Sequence, residues 1–490
     1  MQGPFSFYEC HLVSGTGLDF HGAMYHNGIM PGFGTNRSLG WAMTYNKLDL
    51  VDTYRLEGHP KKKHQYRVDG EWRSLVVKRV WLPLRVGPIT VRIPRTLYWS
   101  DFGPVFRRDG EYFAVRFGML YNNQAPEQIY RMMRAENLDD FKDALALRGV
   151  PRFNVVYADQ AGNVYYVDNG QVPDRVKGPD WKDCVAGTSD SLIWTNWLPF
   201  DSMPQMQNPP AGFVFNTNNS PFLCTAWQDN LDSTNYKRFP KDAGYSHGIN
   251  NRALRFMEII EQEEQFDFDA FKAIKFDQQF PHCSPFLASC ESLFNLDTVA
   301  YPHLATSLGL LHRWNRHVDL ASAEATLFAV TMDQLFATKG LGYEQFFSGF
   351  SAHPPEMAQA LEDAQDYLMT HFDRIDVPWG DVQRLVRGEV NLPLPGYFDM
   401  LAANYSRPAE NGQYEAWVGD AYTQFAVFGP NGLERLETLL PYGSSTRPEN
   451  AHYTDQMALY AAHETKSMPL DTNIILEQAQ RIYRLPVVPR

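Results

Sequence analysis

The residues best suited to chemistry stand in one run, Gly212-Phe213-Val214-Phe215-Asn216-Thr217-Asn218-Asn219-Ser220-Pro221-Phe222. Phe213 and Phe215 alternate with Val214 and Asn216 in a β-prone stretch, which then breaks into Thr-Asn-Asn-Ser-Pro, the pattern of a strand end and a turn. The spacing predicts two adjacent amides, Asn218 and Asn219, presented at the end of a strand. An amide NH2 fixed in place is a neutral donor that can stabilise the oxyanion developing in acyl transfer. The same residues also serve as ordinary turn formers, so this run gains a catalytic meaning only from what surrounds it.

Other catalytic patterns are absent. The sequence holds no G-x-S-x-G elbow, no H-E-x-x-H, no P-loop and no paired C-x-x-C. His312 and His317 fall on a predicted helix, but a spacing of five does not place both on one face, which points to a solvated helix. The five cysteines, Cys10, Cys184, Cys224, Cys283 and Cys290, leave the compartment open. Cys283 and Cys290 are near enough in sequence for a loop disulfide, and two unpaired thiols fit equally well.

The elements that must position the amides belong to a chain of 490 residues, long enough for one large α+β body or several average domains. Its 44% hydrophobic and 14% aromatic content fills a sizeable core. The net charge of −13 opposes nucleic acid as a partner, because phosphate binding needs a positive face. No apolar stretch is long enough to span a membrane, and Met1-Gln2-Gly3-Pro4-Phe5 lacks the basic start and apolar run of a signal peptide. Strands are predicted at 5–12, in hairpins through the first hundred residues (Leu75–Val77, Val80–Leu82, Ile89–Ile93) and at 153–158 and 164–167. Helices are predicted from Ala125 and Leu138, and then over 250–262, 267–275, 318–337, 355–373 and 472–484, where apolar residues recur every three to four positions. There is no repeat or low-complexity linker, so the pattern implies one integrated unit over 1–490 with a helical lobe at roughly 255–400.

Several short motifs follow one another in a set order. His11-Leu12 precedes Met30-Pro31-Gly32, Gly40-Trp41-Ala42-Met43-Thr44 and Asp49-Leu50-Val51-Asp52. Phe102-Gly103-Pro104-Val105, Gly170-Gln171-Val172-Pro173-Asp174-Arg175, Trp197-Leu198-Pro199-Phe200, the Asn218 run, Pro441-Tyr442-Gly443-Ser444-Ser445 and Ala451-His452-Tyr453 continue it. This order resembles the large, nucleophile-bearing subunit of the penicillin acylase family of N-terminal-nucleophile hydrolases, including its acyl-homoserine-lactone acylases. The resemblance runs from the first residues almost to Arg490.

The resemblance implies an α+β fold, a four-layer αββα sandwich with a helical lobe, incomplete at the N-terminus. It implies an amidohydrolase acting on N-acylated small molecules: acyl-homoserine lactones, β-lactam side-chain amides or acylated peptides. In the family a serine exposed by self-cleavage attacks, and its own α-amino group, with a reference pKa of about 7.7–8.0, serves as base. Asn218 matches the side-chain donor of the oxyanion hole, Tyr45 matches the backbone N–H donor, and Arg252 resembles the arginine that orients the asparagine. Asp49, the carbonyl of Val51, Asp52, the carbonyl of Pro173 and Asp229 match the ligands of a structural calcium ion. No other cofactor is implied, and the family points to the periplasm or secretion.

The family's serine has no counterpart here, since Ser6 and Ser14 are internal and carry no free amine. The expectation is therefore a nucleophile and a small subunit supplied from a missing N-terminal segment or a partner chain. The alternative is a catalytically inactive scaffold or binding relative.

Overall fold

In the computed structural model, residues 6–25, 28, 30–236, 248–342 and 344–484 are described. The chain divides into two compact units interleaved in sequence: Met1–Trp41, Ala158–Gly162 and Gly248–Arg490 form one, and Ala42–Tyr157 with Asn163–His247 form the other.

The first unit opens with the predicted strands. Phe7–Val13, Asp19–Tyr25 and Phe33–Asn36 pair antiparallel in succession, and Leu39–Thr44 joins through Gly34↔Trp41 and Thr35↔Gly40. Phe5, where the first strand is predicted to start, lies outside the described residues. Alternation decides which side chains enter the core, and Phe7, Ala23 and Leu440 pack there as one cluster. The helical lobe gathers around Phe280, Phe286, Phe328, Leu361 and Trp379, each at most 1% exposed. Two antiparallel pairs, Asn404–Pro408 with Tyr414–Gly419 and Thr423–Gly429 with Gly432–Leu439, complete this unit's larger strands.

Four of the predicted lobe helices occur close to their expected bounds: Asn251–Ile260, Phe268–Lys275, Ala323–Lys339 and Pro354–Phe372. The third starts later than the periodicity suggests. The Ser322 hydroxyl accepts from the Ala325 N–H at 3.1 Å and fixes the start there, while Val318 is taken up by main-chain bonds to Gln278 and Gly396. The last predicted helix is confined to Thr472–Glu477, whose Ile474 and Leu476 are exposed. His312 and His317 are not on one helix: Ala305–Leu311 ends just before His312, and Trp314 and Asn315 turn the chain before His317.

The second unit is built on an eight-stranded sheet. Seven of its strands follow the order Glu71–Ser74, Gln65–Val68, Val51–Gly58, Glu111–Phe117, Gly103–Arg108, Ile89–Ser100 and Val76–Val86, and Val185–Ala186 pairs parallel with Val51–Gly58. Tyr54, Tyr66, Phe102, Trp181 and Trp194 fill its core. The predicted hairpin is longer than the sequence suggested. Val76–Val86 and Ile89–Ser100 stay in register from Val76↔Trp99 to Val86↔Ile89 around a Gly87-Pro88 turn, and Gly87 takes a φ of +59°. The strands Arg152–Asp159, Val164–Gly170 and Gln205–Gln207, with the helices Ala125–Arg134 and Leu138–Ala146, form the remainder.

Candidate active site

Thr44 ends a strand, and Tyr45 and Asn46 leave it as irregular chain. The Asn218 turn belongs to the same unit. Phe213–Asn216 is not a strand, contrary to the alternation of its aromatics. Its main chain is held instead by Phe215 N donating to the Cys224 carbonyl at 2.9 Å and by the Thr225 hydroxyl donating to the Phe213 carbonyl at 2.7 Å. Phe213 and Phe215 therefore shape a loop rather than a sheet edge.

The turn is locked by its own side chains. Thr217 N donates to Asn219 Oδ1 and Asn218 N to Asn216 Oδ1, both at 2.8 Å. These Asx bonds let Asn218 hold a φ of +66°, a left-handed conformation that asparagine tolerates better than most residues. The expectation of two presented amides is corrected: Asn219 is 3% exposed and its amide donates to the Leu223 and Ser220 carbonyls. Asn219 builds the turn, and Asn218 is the amide left facing outward.

Asn218 Nδ2 donates to the carbonyl of Tyr45 at 2.9 Å, across 173 positions of sequence. The structure thus brings the Asn218 side chain against the main chain of Tyr45. A line of polar groups supports that corner: Tyr166 OH donates to Asn154 Oδ1 at 2.7 Å, Asn154 Nδ2 to Thr44 Oγ1 at 3.1 Å, and Thr44 Oγ1 to Asn216 Oδ1. Each member is fixed by the next, which restrains the corner.

Two charged groups beside this corner escape sequence reasoning. Arg152 donates to the Tyr45 hydroxyl and, at 2.9 Å, to the Leu48 carbonyl, with its guanidinium carbon 4.9 Å from the centre of the Tyr45 ring. Asp168 accepts from Asn46 Nδ2 at 2.6 Å, and burial pushes its carboxyl up to about 7 against the lowering effect of that bond. Asn46 Oδ1 and Asn169 Oδ1 are buried without partners. The unfolded carboxyl titrates near 4, so the native state binds more protons between that value and about 7, and the stability Asp168 contributes is lost as pH rises through this window. Asp168→Asn should flatten thermal stability between pH 4 and pH 7 and raise the melting temperature at pH 8. Melting curves at these pH values check this, and an unchanged pH profile would refute it.

Protein groups hold each of the five residues matched to calcium ligands. Asp49 and Asp52 come together, but around the guanidinium of Arg175, whose side chain is fully buried: Nε donates to Asp52 Oδ2 at 3.0 Å and Nη2 lies 3.2 Å from Asp49 Oδ2. Trp194 Nε1 donates to the same Asp52 oxygen at 2.6 Å. Burial raises the pKa of both carboxyls, and Arg175 pulls against it. Pro173 bridges to Trp197, Val51 pairs with Phe117 in the sheet, and Asp229 accepts from Ala211 N at 3.0 Å. Among the described residues no third histidine, cysteine or carboxylate joins Asp49 and Asp52 at ligand distance. The charge of the two carboxylates is met by an arginine, with which a calcium ion would compete.

Arg252 lies on the helix Asn251–Ile260 of the first unit, and its Nε donates to Asp399 Oδ1 at 3.0 Å. Asp399 also accepts from Asn251 N at 2.8 Å, and burial lifts its carboxyl to about 6 despite the arginine. The cysteines are free thiols, including Cys283 and Cys290. Among the described residues no helix is long and apolar enough to cross a membrane.

Comparison with known proteins places these features in context. The profile of the family described as Penicillin amidase matches residues 1–476. The chain is 24% identical to an acyl-homoserine lactone acylase PvdQ of Pseudomonas syringae pv. tomato, over 99% of this chain and 68% of that protein. It is 25% identical to a penicillin acylase 2 proenzyme of Pseudomonas sp. strain SE83, over 87% of this chain and 58% of that protein. A solved thermostable penicillin G acylase from Alcaligenes faecalis superposes with a TM-score of 0.69 at 18% identity, covering 100% of this chain and 95% of that one.

Proposed function

We propose, from the premise that this chain belongs to the penicillin amidase family and has its N-terminal-nucleophile hydrolase fold, that it holds the oxyanion in an enzyme hydrolysing the amide bond of N-acylated small molecules. The observation that carries the reading is the Asn218 amide resting 2.9 Å from the Tyr45 carbonyl. An amide NH2 has two N–H donors, so anchoring one on Tyr45 sets the direction of the other. The Tyr45 main-chain N–H would be the second donor at the same corner, and a backbone donor is indifferent to its side chain.

The reaction then runs in two displacements. A serine carrying a free α-amino group attacks the acyl carbon, and the amine takes the serine proton. The carbonyl oxygen becomes an oxyanion between Asn218 and the Tyr45 N–H, the amide C–N bond breaks, and the proton passes to the leaving amine. Water repeats the attack on the acyl-enzyme and releases the acid. The serine would come from the part of the family's length beyond these 490 residues, consistent with the proenzyme form of one relative. Arg152, beside Tyr45, would attract an acidic or carbonyl-rich leaving group. Acyl-homoserine lactones and β-lactams with N-acyl side chains are the proposed substrates, met outside the cytoplasm.

The test is to assay the protein together with its nucleophile-bearing segment against N-acyl-homoserine lactones of several chain lengths and against penicillin G. Release of a primary amine with the lactone or β-lactam ring intact is the expected result. Ring opening with the acyl amide intact, or no amine from any substrate, would overturn the proposal.

A further inference from the structure

His21 is 2% exposed, and neither of its ring nitrogens has a hydrogen-bond partner. A buried imidazole normally satisfies at least one of them, because an unpaired buried polar atom loses its hydration for nothing in return. The antiparallel pairing of Phe7–Val13 with Asp19–Tyr25 sets His21 directly across from His11. Their rings lie 3.7 Å apart at an angle of 14°. His11 Nε2 is 2.6 Å from Asp19 Oδ1, and Arg37 Nε donates to the other Asp19 oxygen at 2.6 Å. One donor atom from each of His11, Asp19 and His21 falls within 4.8 Å of the other two, and among the described residues this is the only such group of three.

We propose that His11, Asp19 and His21 form a binding site for a divalent transition-metal ion, with zinc the best match. Two imidazoles and one carboxylate are a donor set that suits zinc, and three protein ligands leave a fourth position for water. The set is half-built. Zinc–nitrogen bonds of about 2.0–2.1 Å imply donor atoms roughly 3.3–3.4 Å apart in a tetrahedron, so the three groups must close. The stacked rings must also splay, because parallel imidazoles direct their lone pairs side by side rather than to one point. The proposal requires each imidazole to turn about its last side-chain torsion.

The surroundings favour the ion. His21 keeps both ring nitrogens buried and unpartnered, so neither is committed to a protein group. Asp19 is 30% exposed and His11 15%, which gives a path from solvent. Arg37 would keep its bond to the second Asp19 oxygen and so orient the ligating one, as outer partners of metal ligands commonly do. These residues take no part in the proposed oxyanion corner, and they are separate from Asp49 and Asp52.

Chelator-stripped protein should bind one equivalent of Zn2+ in a calorimetric titration, and Co2+ in its place should give the visible absorption of a low-coordinate site. His21→Leu and Asp19→Asn should each weaken Zn2+ binding at least about tenfold, with the metal-free melting temperature preserved in Asp19→Asn and amide hydrolysis unchanged. Saturable binding that survives both substitutions would place the metal elsewhere and overturn the proposal, as would no binding at all. Should His21→Leu fail to fold, Asp19→Asn alone decides, since its half-buried carboxylate is replaced by an isosteric amide.

Discussion

Replacing Asn218 with alanine lowers amide turnover by about 10²–10³, the loss expected when one preorganised oxyanion donor is removed. The effect should fall on kcat rather than KM, because the amide meets full negative charge only in the tetrahedral state. The φ of +66° at this residue complicates alanine, which dislikes a left-handed conformation. Asn218→Gly separates the two causes: glycine accepts the conformation without strain and lacks the amide just as alanine does. Both variants should therefore lose turnover to the same degree and share the loss of the bond to the Tyr45 carbonyl, while the alanine variant loses further stability to backbone strain. The Thr217–Asn219 bond and the Asn219 bond to Leu223 do not involve the substituted side chain, so the turn itself survives. Turnover within a factor of two of the parent protein in Asn218→Gly would remove this residue from the mechanism.

How much of this was legible in the sequence depended on whether a feature was local. The strands at the start of the chain and the helices of the lobe announce themselves through periodicities of two and three to four, and those elements occur. The Asn218 turn was legible as a turn because Thr-Asn-Asn-Ser-Pro carries its own hydrogen bonds. Its approach was not: aromatic alternation in Phe213–Asn216 looks like a strand, but the stretch is held by Phe215 N on the Cys224 carbonyl and by the Thr225 hydroxyl on the Phe213 carbonyl, and no strand forms there. Helix ends were set by particular caps, Ser322 at one and Gly340 at φ +63° at the other, rather than by hydrophobic spacing.

Features made where two segments meet were the hardest to foresee. Whether His11 faces His21 depends on the pairing register, which the Ser14–Leu18 loop fixes through Ser14 N to the Leu18 carbonyl. Asp168 beside Asn46 and Arg152 beside Tyr45 are of the same kind, separated by more than a hundred positions. The Asp49-x-x-Asp52 motif was visible, and so was Arg175 five residues after Gly170. What was not visible is that the arginine folds back between the two carboxylates, because nothing in the spacing distinguishes a carboxylate pair awaiting a cation from one already holding a guanidinium.

That distinction has a large energetic consequence. Arg175 and Asp52 have no exposed side-chain surface, so removing either partner leaves a charge in a poorly hydrated interior. Arg175→Met should destabilise the second unit by about 3–5 kcal/mol, the usual result of breaking a buried ion pair from one side. Asp52 would then lose both the hydrogen bond and the charge of Arg175, and burial, already raising its pKa, would be opposed only by the Trp194 N–H and the more distant Arg116. A carboxyl whose folded pKa lies above its unfolded value loses stability as pH rises through that interval, so the variant's deficit should be deeper at pH 8 than at pH 5. Adding Asp52→Leu removes the stranded charge and should recover most of the loss, since a well-packed apolar pair can replace a buried ion pair at little net cost. Arg175→Lys should not rescue, because an ammonium cannot reach Asp52 and Asp49 together with the planar fork that a guanidinium provides. Urea unfolding midpoints of the single and double variants at the two pH values measure all three effects. Equal midpoints for Arg175→Met and the parent protein at pH 8 would show that the guanidinium is dispensable and would reopen the two carboxylates to a metal ion.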